Sequence, residues 1–556
     1  VLKGREADLH IYVSCHNEDP ASDGMTPDSP LTTINEAVAR ARQISSQGRP
    51  VQIRVLPGKY HESIVLPPGV AMVNHMGPTG SSPDQRRSWL QGTTQRERNT
   101  HVTLTAPDGT CAVTIQNDSQ GIIAGIHILG NRENNGPTRG LLIQDCARVK
   151  VYLCRIASHY IDADGAAIHL SPKTSTAPCR LLIQDSIIEQ NRCTGRGAGI
   201  FLDRGLVVVR QSRINENEAG IAGGGLYATN TGDQPLLLEH TVMERNTVYV
   251  DGELPKASKE GWFGETGHGG CVFVVGGTLH LKNSDMIANT AHGAGGAIFA
   301  THSRVLIEGT EDVLEHLGRL VDNRSVRGGA ILMRGGTQAQ TTALKIVGAQ
   351  LTANVAQHSG GAIAAANLVH IEISGTGLHH NKVTGDRAEG GAIHITLGTR
   401  ARIDTSHLLS NQATFRAGAI SACNSSLRLL SGCTLRQNQC THGDSGAIAH
   451  YTMASSHLDL LRQNGHIEEP AVFAMEEVEV ESNQAAKAVG GVFVGNYSKE
   501  ASLPIVVAIR VPGCITQNKV CASDGGQEKP ANLLVFWNRA VRANDKHPPD
   551  GPLQLK

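Results

Sequence analysis

Short apolar runs alternate with glycines and polar residues along most of the chain, and from Asn191 to Phe493 they recur as one phrase. The phrase is an Asn, a short stretch of small or polar residues, and then Gly-Gly-Ala-Ile or a close variant. Its last two positions recur at Gly199-Ile200, Gly225-Leu226, Cys271-Val272, Ala297-Ile298, Ala330-Ile331, Ala362-Ile363, Ala392-Ile393, Ala419-Ile420, Ala447-Ile448 and Val492-Phe493, with Ala167-Ile168 as a degenerate first copy. Self-similarity at a period of roughly 30 residues is typical of a solenoid.

The residues between the glycines predict strands. Runs such as LVVV at 206–209 and HIEI at 370–373 are β-branched or Leu-rich and too short for helices. Helical repeats have similar lengths, but here glycine pairs break every unit. A unit of three short strands and three turns is one coil of a parallel β-helix, in which each coil pairs with the coils above and below it.

Each recurring residue has a predicted role. The glycine pair supplies positive φ angles at a tight corner. The Asn is predicted at another corner, in a left-handed conformation, with its amide bonded to the equivalent amide of the next coil. The Ile points inward and stacks on its own equivalents. The repeated Asn residues lie about nine positions before the Ile: Asn191, Asn217, Asn289, Asn323, Asn354, Asn411, Asn438 and Asn483.

The first residues predict a different element. Thr33 and Glu36 have the spacing of a capping box, and apolar residues then follow at helical spacing. We predict an amphipathic helix that covers the open end of the first coil. The predicted domains are 1–70 for this N-terminal cap and the first strands, 71–540 for the β-helix, and 541–556 for a polar C-terminal tail.

This N-terminal segment resembles that of a known superfamily. The order SPLTTINEAVARA followed by PVQIRVLPGKYHESIVL is similar to the start of pectin-lyase-like right-handed parallel β-helix proteins. The resemblance depends on Asp23, Pro30, Thr33, Ile34, Ala37, Val55, Pro57, Gly58, Tyr60 and Glu62. The later units resemble repeats of polymorphic outer-membrane and adhesin-like β-helix proteins. The resemblance implies an all-β, right-handed parallel β-helix, but that superfamily holds lyases, glycosidases, epimerases, esterases, tailspikes and inert adhesins, so it leaves function open.

Composition narrows the choice of partners. The 50 basic and 51 acidic side chains nearly cancel, which argues against a nucleic-acid partner. No apolar run approaches the roughly 18 residues that a membrane span needs. The 12 Cys have neither zinc-site spacing nor the density of a disulfide scaffold, and no cofactor motif is present. No leader precedes Val1, so any secretory signal is expected to have been removed.

The residue that follows each inward Ile should point outward, because side chains alternate along a strand. These positions form what we call the outward file: His169, Phe201, Tyr227, Phe273, Phe299, Leu332, Ala364, His394, Ser421, Ala449 and Val494. Its four consecutive aromatic members would span about 14 Å at about 4.8 Å per coil. They predict a stacking platform for an extended ligand. The alternative is rings that pack on one another or under a loop.

A long charged insert lies between Asn246 and Gly269, and should emerge beside these aromatic positions. It carries Asp251, Trp262, Glu265 and His268, among other charged residues. A loop of this length with a Trp-Phe pair predicts that it binds or covers a ligand. A plain surface excursion is the alternative.

Carboxylates provide candidate acid, base and metal sites. Asp203 lies beside Arg204, and Asp162 and Asp164 would face one side of an extended segment, where they could share a proton or bind calcium. Purely surface roles are the alternative. Gly267-His268-Gly269 resembles the Gly-His-Gly of polygalacturonase-type glycosidases, but the adjacent acidic pair and the Arg-Ile-Lys of those enzymes are missing, so that activity is not carried over.

Two classes of function follow. In the first, a secreted or cell-surface β-helix engages an extended polysaccharide along its long face and, if it is an enzyme, cleaves it as a lyase or glycosidase. The predicted ligand contacts are Phe201, Arg204, Tyr227, Trp262, Phe273 and Phe299, and the predicted acid or base is His268 with Asp203, Glu265 or Asp251 as its partner. In the second, the chain is a non-catalytic adhesin or spike-like element. Either form could be a monomer or a trimer.

Overall fold

The structure is a computed structural model, and it describes residues 9–45, 49–77, 82–116, 120–130, 136–145, 147–172, 179–229, 231–232, 235–249, 266–310, 318–336, 342–453, 459, 461, 471–496, 505–510, 515–520, 529–530 and 533–535. The chain divides into two compact units. The first unit is Val1–Asp251 with Cys271–Thr278, and the second is Gly252–Gly270 with Leu279–Lys556. The predicted domain boundaries at residues 70 and 540 stay predictions.

Helices occur early in the described chain: α1 at Ile34–Ser45, α2 at Pro83–Gln91 and α3 at Gln95–Arg98. The N-terminus of α1 has the predicted capping box, because the Glu36 carboxylate accepts from the Thr33 N–H at 3.2 Å and the Glu36 N–H donates to the Thr33 hydroxyl at 3.2 Å. The Glu62 carboxylate also accepts from the N–H groups of Ile34 and Asn35. The apolar face of α1 is buried, as predicted, through Ile34, Ala37, Val38 and Ala41. That α1 closes the end of the first coil stays a prediction.

Four parallel sheets, which we name A to D, form the first unit. Sheet A has β1 Leu9–Val13, β2 Val51–Val55, β5 Val70–Asn74, β8 Gln120–Ala124, β11 Arg148–Tyr152, β15 Cys179–Gln184, β19 Gly205–Arg210 and β23 Leu236–Glu239. Sheet B has β3 Gly58–His61, β6 Val102–Thr105, β9 Ile126–Leu129, β12 Arg155–Ala157, β16 Ile187–Glu189, β20 Arg213–Asn215 and β24 Val242–Glu244. Sheet C has β4 Ile64–Val65, β7 Cys111–Ile115, β10 Arg139–Ile143, β14 Ile168–Leu170, β18 Ile200–Asp203, β22 Leu226–Thr229 and β26 Val272–Val275. Sheet D has β13 Tyr160–Ile161, β17 Arg192–Cys193, β21 Glu218–Ala219 and β25 Thr247–Val248.

The second unit has the same four kinds of strand. Its sheet A strands are β27 Thr278–Lys282, β31 Arg304–Glu308, β35 Ala343–Val347, β39 His370–Ser374, β43 Arg400–Asp404, β47 Ser426–Leu429, β51 Ala471–Glu476 and β55 Ile505–Arg510. Its sheet B strands are β28 Asp285–Ile287, β32 Arg319–Val321, β36 Gln350–Thr352, β40 Gly377–His379, β44 His407–Leu409, β48 Thr434–Arg436, β52 Glu479–Glu481 and β56 Ile515–Thr516. Its sheet C strands are β30 Ile298–Thr301, β34 Ile331–Arg334, β38 Ile363–Ala366, β42 Ile393–Thr396, β46 Ile420–Cys423, β50 Ile448–Thr452, β54 Val492–Asn496 and β59 Leu533–Val535. Its sheet D strands are β29 Thr290–Ala291, β33 Arg324–Arg327, β37 Val355–Ser359, β41 Lys382–Val383, β45 Gln412–Ala413, β49 Gln439–Cys440, β53 Gln484–Ala485, β57 Lys519–Val520 and the antiparallel β58 Lys529–Pro530.

Strand register confirms that the repeated positions are spatial neighbours. In sheet C of the first unit, Ile200 pairs with Leu226, which pairs with Val272. In the second unit, Ile331 pairs with Ile363 in the same way. Parallel strands stacked coil upon coil, with these apolar side chains buried between the sheets, make the predicted all-β parallel β-helix.

One predicted copy is out of register by one residue. Ile448 pairs with Val492, and Ala449 therefore pairs with Phe493. The outward position of that coil is Phe493, which corrects the prediction of Val494. This copy reads Gly-Gly-Val-Phe, so two adjacent residues, Val492 and Phe493, are both apolar enough to match the inward Ile, and the sequence alone does not distinguish them.

The asparagines form the predicted amide ladders within each unit. The Asn354 amide donates to the Asn381 carbonyl oxygen at 3.0 Å and to the Leu320 backbone oxygen at 2.8 Å. Asn246, Asn381 and Asn518 belong to these ladders in addition to the predicted members. The ladder members are fully buried: Asn191, Asn217, Asn246, Asn289, Asn323, Asn354, Asn381, Asn411, Asn438, Asn483 and Asn518.

The prediction of a left-handed Asn is wrong. The left-handed residue is the one that precedes each ladder Asn, as at Ala353 with φ 56° and Glu216 with φ 54°. That residue turns the chain, and the turn directs the following amide into the core, where it meets the amides of neighbouring coils. The glycine corner is as predicted: Gly328 has φ 62°, and a Cβ on Gly329 would lie 2.1 Å from the carbonyl oxygen of Gly361.

Among the described helices, none combines the length and the apolar character that crossing a membrane would need.

Candidate functional site

The aromatic members of the outward file in the first unit do stack. Ring centroids are 4.8 Å apart for His169 and Phe201, 5.4 Å for Phe201 and Tyr227, and 5.3 Å for Tyr227 and Phe273. The guanidinium of Arg196 also lies over the Tyr227 ring at 5.4 Å. Phe201 and Tyr227 are only 8% exposed, and Phe273 is 3% exposed. Because their faces already contact one another, a ligand would reach only ring edges, so the geometry favours the alternative in which the rings pack together.

Phe299 and His268 lie together in the second unit. Their ring centroids are 4.6 Å apart, and His268 is 2% exposed. The Nδ1 atom of His268 accepts a hydrogen bond from the Ala294 N–H at 2.9 Å. This bond holds the corner of a neighbouring coil and uses a nitrogen that a general base would need free. The catalytic role of His268 stays a prediction.

Asp203 and Arg204 form a small surface pair at the end of β18. The Arg204 Nε lies 3.5 Å from Asp203 Oδ2, and the guanidinium donates to the Pro172 carbonyl oxygen at 3.3 Å. Arg204 has a left-handed backbone, with φ 50°. The structure therefore brings Asp203 and Arg204 together, and their predicted catalytic and binding roles stay predictions.

Asp162 and Asp164 are each engaged by the next coil. The Thr194 hydroxyl donates to Asp162 at 2.6 Å, and the Arg196 N–H donates to Asp164 at 2.7 Å. The chain bends after β13, so these carboxylates do not stand on the extended segment that was expected. Within the described residues, no group of three or more His, Cys, Asp or Glu side chains could hold a metal ion.

Three predicted site residues lie outside the described residues: Asp251, Trp262 and Glu265. Their roles, and the binding role of the insert that carries them, stay predictions.

A different site forms where the outward file loses its rings. In the second unit the file continues with Leu332, Ala364, His394, Ser421 and Ala449, whose strands pair in register. Small residues here leave a cavity of about 410 Å³, which we call the trough. Its floor comes from five successive sheet C strands through Leu332, Ala364, His394, Cys423 and Tyr451.

One wall of the trough belongs to a second file that was not predicted from the sequence. Its members, which we call the wall file, lie four residues before each inward Ile: Arg327, Ser359, Glu389, Arg416 and Asp444. Arg327, Ser359 and Glu389 line the cavity. Bridges between coils place Ser359 beside Glu389, and Glu389 beside Arg416. His358 and Arg387 line the trough on exposed positions next to this wall file.

Glu389 is the centre of a polar network on the wall. Its carboxylate accepts from the Arg416 guanidinium at 2.8 Å, from the Ser421 hydroxyl at 3.0 Å and from the Tyr451 hydroxyl. The His394 Nδ1 lies 3.9 Å from the same carboxylate. Glu389 and Arg416 side chains are each 13% exposed, so this pair is only weakly screened by water.

Arg416 is held on every side. Its guanidinium lies 4.5 Å from the Phe415 ring centroid and 4.8 Å from that of Tyr451, and its Nε is 3.7 Å from the Asp444 carboxylate. A cation between two rings and two carboxylates is fixed in place. It therefore fixes the positions of Glu389 and Tyr451 on the trough lining.

Burial sets the protonation states on the floor. Burial lowers the pKa of His394, and Arg327 and Arg416 lower it further, although the Glu389 carboxylate acts in the opposite direction. His394 is therefore a neutral imidazole at pH 7, and within the described chain its Nδ1 has no hydrogen-bond partner. Burial raises the pKa of Tyr451 well above its ordinary value, and raises that of Cys423 to about 12, so both keep their protons.

The trough therefore holds a neutral base and a protonated phenol on its floor, with cationic groups beside them. His358 also stays neutral at pH 7, because burial and Arg327 lower its pKa. Arg327 and Arg387 supply positive charge along the wall. The Glu389 carboxylate is paired with Arg416, which neutralises the negative charge on this part of the lining.

Two proteins of known structure are similar to the chain at low identity. The sequence matches no protein-family model and no curated protein. The Azotobacter vinelandii mannuronan C-5 epimerase AlgE6 A-module is 10% identical, with 86% of this chain and 96% of that chain covered, at a TM-score of 0.30. The AlgE4 A-module of the same organism is 10% identical, with 88% and 95% covered, at a TM-score of 0.25. Scores this low carry no inference about the chemistry of this chain.

Proposed function

We propose that the protein binds a stretch of an acidic polysaccharide in the trough of the second unit and cleaves it as a lyase. The observation that supports this is the placement of Arg327 and Arg387 along one wall, opposite a floor that carries a neutral His394 and a protonated Tyr451. Guanidinium groups bind carboxylates with two parallel hydrogen bonds, so they suit a sugar acid. Because such polymers are surface materials, we propose an extracellular or cell-surface location.

The proposed reaction is a β-elimination. His394 Nδ1 removes the proton from the carbon next to the sugar carboxyl group, and the electron pair forms a carbon–carbon double bond. The bond from the neighbouring carbon to the glycosidic oxygen breaks, and the Tyr451 hydroxyl protonates that oxygen. The guanidinium of Arg327 stabilises the negative charge that develops on the carboxyl group.

Glycosidase chemistry fits the trough less well. Hydrolysis uses two carboxyl groups on opposite sides of the bond that breaks. Here Glu389 is the carboxylate on the trough lining, and Arg416 neutralises it. A non-catalytic adhesin would show the same binding without product, so it is an outcome of the experiment below.

Purified protein is titrated calorimetrically with an acidic polysaccharide and with a neutral one, and ultraviolet absorbance then follows the new double bond. We expect binding of the acidic polymer alone, and weaker binding by Arg387→Gln. The control is Arg402→Gln, an exposed arginine of sheet A that should leave binding unchanged. Binding without absorbance would favour the adhesin, and equal binding of both polymers would contradict the proposal.

The reaction should depend on pH through His394. Its lowered pKa means that the neutral form persists below the ordinary value near 6.5. Turnover should therefore be level above pH 6.5 and fall only in more acidic solution, as His394 takes up a proton. Initial rates from pH 5 to 8 measure this, and a rate that rises as the pH falls through 6.5 would rule His394 out as the base.

A further inference from the structure

The length of the trough carries information about its ligand. The floor residues lie on β34, β38, β42, β46 and β50, which are five successive strands of sheet C. Four intervals of about 4.8 Å give a floor about 19 Å long. One interval is close to the rise of one unit in an extended pyranose chain, so the floor and such a polymer have similar repeats.

Bulkier side chains mark both ends of the floor. Leu332 at one end is 1% exposed. At the other end Tyr451 packs with Ala449 and Phe493 in an apolar cluster. Between these ends the outward file has no side chain larger than His394, and the floor therefore has a definite length.

The wall presents polar groups at the coil repeat. Arg327, Ser359 and Glu389 come from successive coils, and each occupies the same position of its coil. A ligand with one set of polar groups per sugar unit would meet one wall residue per unit. A single sugar would use only one of them and would leave most of the cavity filled with water.

We propose that the trough binds an internal stretch of about four sugar units laid along the strand-stacking direction, one unit per coil interval, with Ala364 setting the space available for the unit that it contacts. This inference rests on the proposed function, because it takes the ligand to be a polysaccharide. It adds the length of the bound stretch and the residue that limits the size of one sugar unit.

Ala364 provides a test that the fold should tolerate. The same outward file carries Phe201, Tyr227 and Phe273 in other coils, so a ring at this position is compatible with the strand. Ala364 itself is 3% exposed and pairs with Leu332 and His394. A phenyl ring at position 364 would occupy the place of one sugar unit.

Acidic oligosaccharides of two to six units are titrated into the whole protein. We expect affinity to rise by about tenfold or more between the dimer and the tetramer, and to stay level from the tetramer to the hexamer. Ala364→Phe should reduce tetramer affinity by at least about tenfold. The matched control is Ala343→Phe, on the partly exposed start of β35, which should bind as the natural protein does. Circular dichroism checks that both variants keep the fold.

The outcomes separate the two proposals. A dimer that binds as tightly as the tetramer would overturn this inference and leave the proposed function standing. An unchanged affinity in folded Ala364→Phe would overturn it as well. Failure of the polymer and of every oligomer to bind would remove the proposed function together with this inference.

Discussion

The Glu389 carboxylate is the residue on which the trough geometry depends most. It joins side chains from three successive coils, because Arg416, Ser421 and Tyr451 donate to it and His394 lies 3.9 Å away. Removing its charge leaves the Arg416 guanidinium with the more distant Asp444 as its remaining carboxylate, at 3.7 Å. A buried ion that loses its close partner is costly.

Glu389→Gln should therefore lower the free energy of unfolding by about 3 kcal/mol. The control is Glu372→Gln, whose ion pair with Lys345 is exposed, with side chains 63% and 56% accessible. That change should cost less than about 0.5 kcal/mol. Urea unfolding of both variants measures the difference, and equal losses would show that Glu389 has no special structural role.

The corner segments are the elements that set the register of the coils. Each ladder Asn satisfies backbone groups of a neighbouring coil, as when the Asn323 N–H donates to Asn354 at 3.0 Å. Such groups have no access to water, so losing the side chain leaves them unpaired. The ladder could be predicted from the sequence because an Asn at fixed spacing has this one physical advantage. The left-handed residue before it could not, since that position holds many residue types, such as Ala353, Glu216 and Arg245.

Asn354→Ala should lower the free energy of unfolding by about 3 kcal/mol. Gln412→Ala is the matched control, because the Gln412 amide also bonds to a neighbouring coil, at 3.3 Å to Gln439, but does so at the surface. The control should cost less than about 1 kcal/mol. Urea denaturation followed by circular dichroism compares the two. A loss in Asn354→Ala no larger than the control's would contradict the ladder's role.

The docking of α2 and α3 onto sheet B depends on two neutral histidines. The rings of His101 and His127 are 4.0 Å apart, and the Trp89 ring of α2 lies 5.7 Å from His127. Burial lowers the pKa of His127 to about 3, with His101 and Arg155 adding to the effect. Burial and Arg155 lower that of His101 too, whereas the Trp89 carbonyl and Glu97 oppose the change.

Acid should loosen these helices. The pKa of His127 is lower in the folded protein than in the unfolded chain. The neutral His127 ring therefore stabilises the docked helices fully above pH 6.5, and this stabilisation falls as the pH drops from 6.5 toward 3. The equilibrium constant for docking of residues 82–101 should be smaller at pH 5 than at pH 7 by on the order of 30-fold. Hydrogen exchange of this segment, corrected for intrinsic rates, measures it. His127→Phe keeps a ring that cannot take up a proton, so this variant should lose most of the pH dependence of exchange. If exchange in the natural protein is the same at pH 5 and pH 7, the neutral histidines do not control the docking of these helices.

Repetition across the whole chain is what made the fold predictable. Once the period is known, residues at equal positions become neighbours, and the stacking of Phe201 on Tyr227 follows directly. The ligand role of those rings stays a prediction, because sequence position shows which residues meet but not whether ring faces stay open.

The trough was missed for a related reason. The prediction considered only the residue that follows each inward Ile. The residues four positions before each Ile also stack from coil to coil, and they include Arg327, Glu389 and Arg416. The same repeat therefore predicts that these charged side chains lie near His394. The cavity itself depends on the small side chain of Ala364, and a small residue is less conspicuous in a sequence than a run of aromatic residues.

The proposed ligand of the trough in the second unit is an acidic polysaccharide. A crystal structure of the protein with an acidic tetrasaccharide would reveal where the sugar binds. We expect sugar rings along Ala364 and His394, with a carboxylate within hydrogen-bonding distance of Arg327 or Arg387. A tetrasaccharide bound on another face, with the trough filled by water, would contradict it.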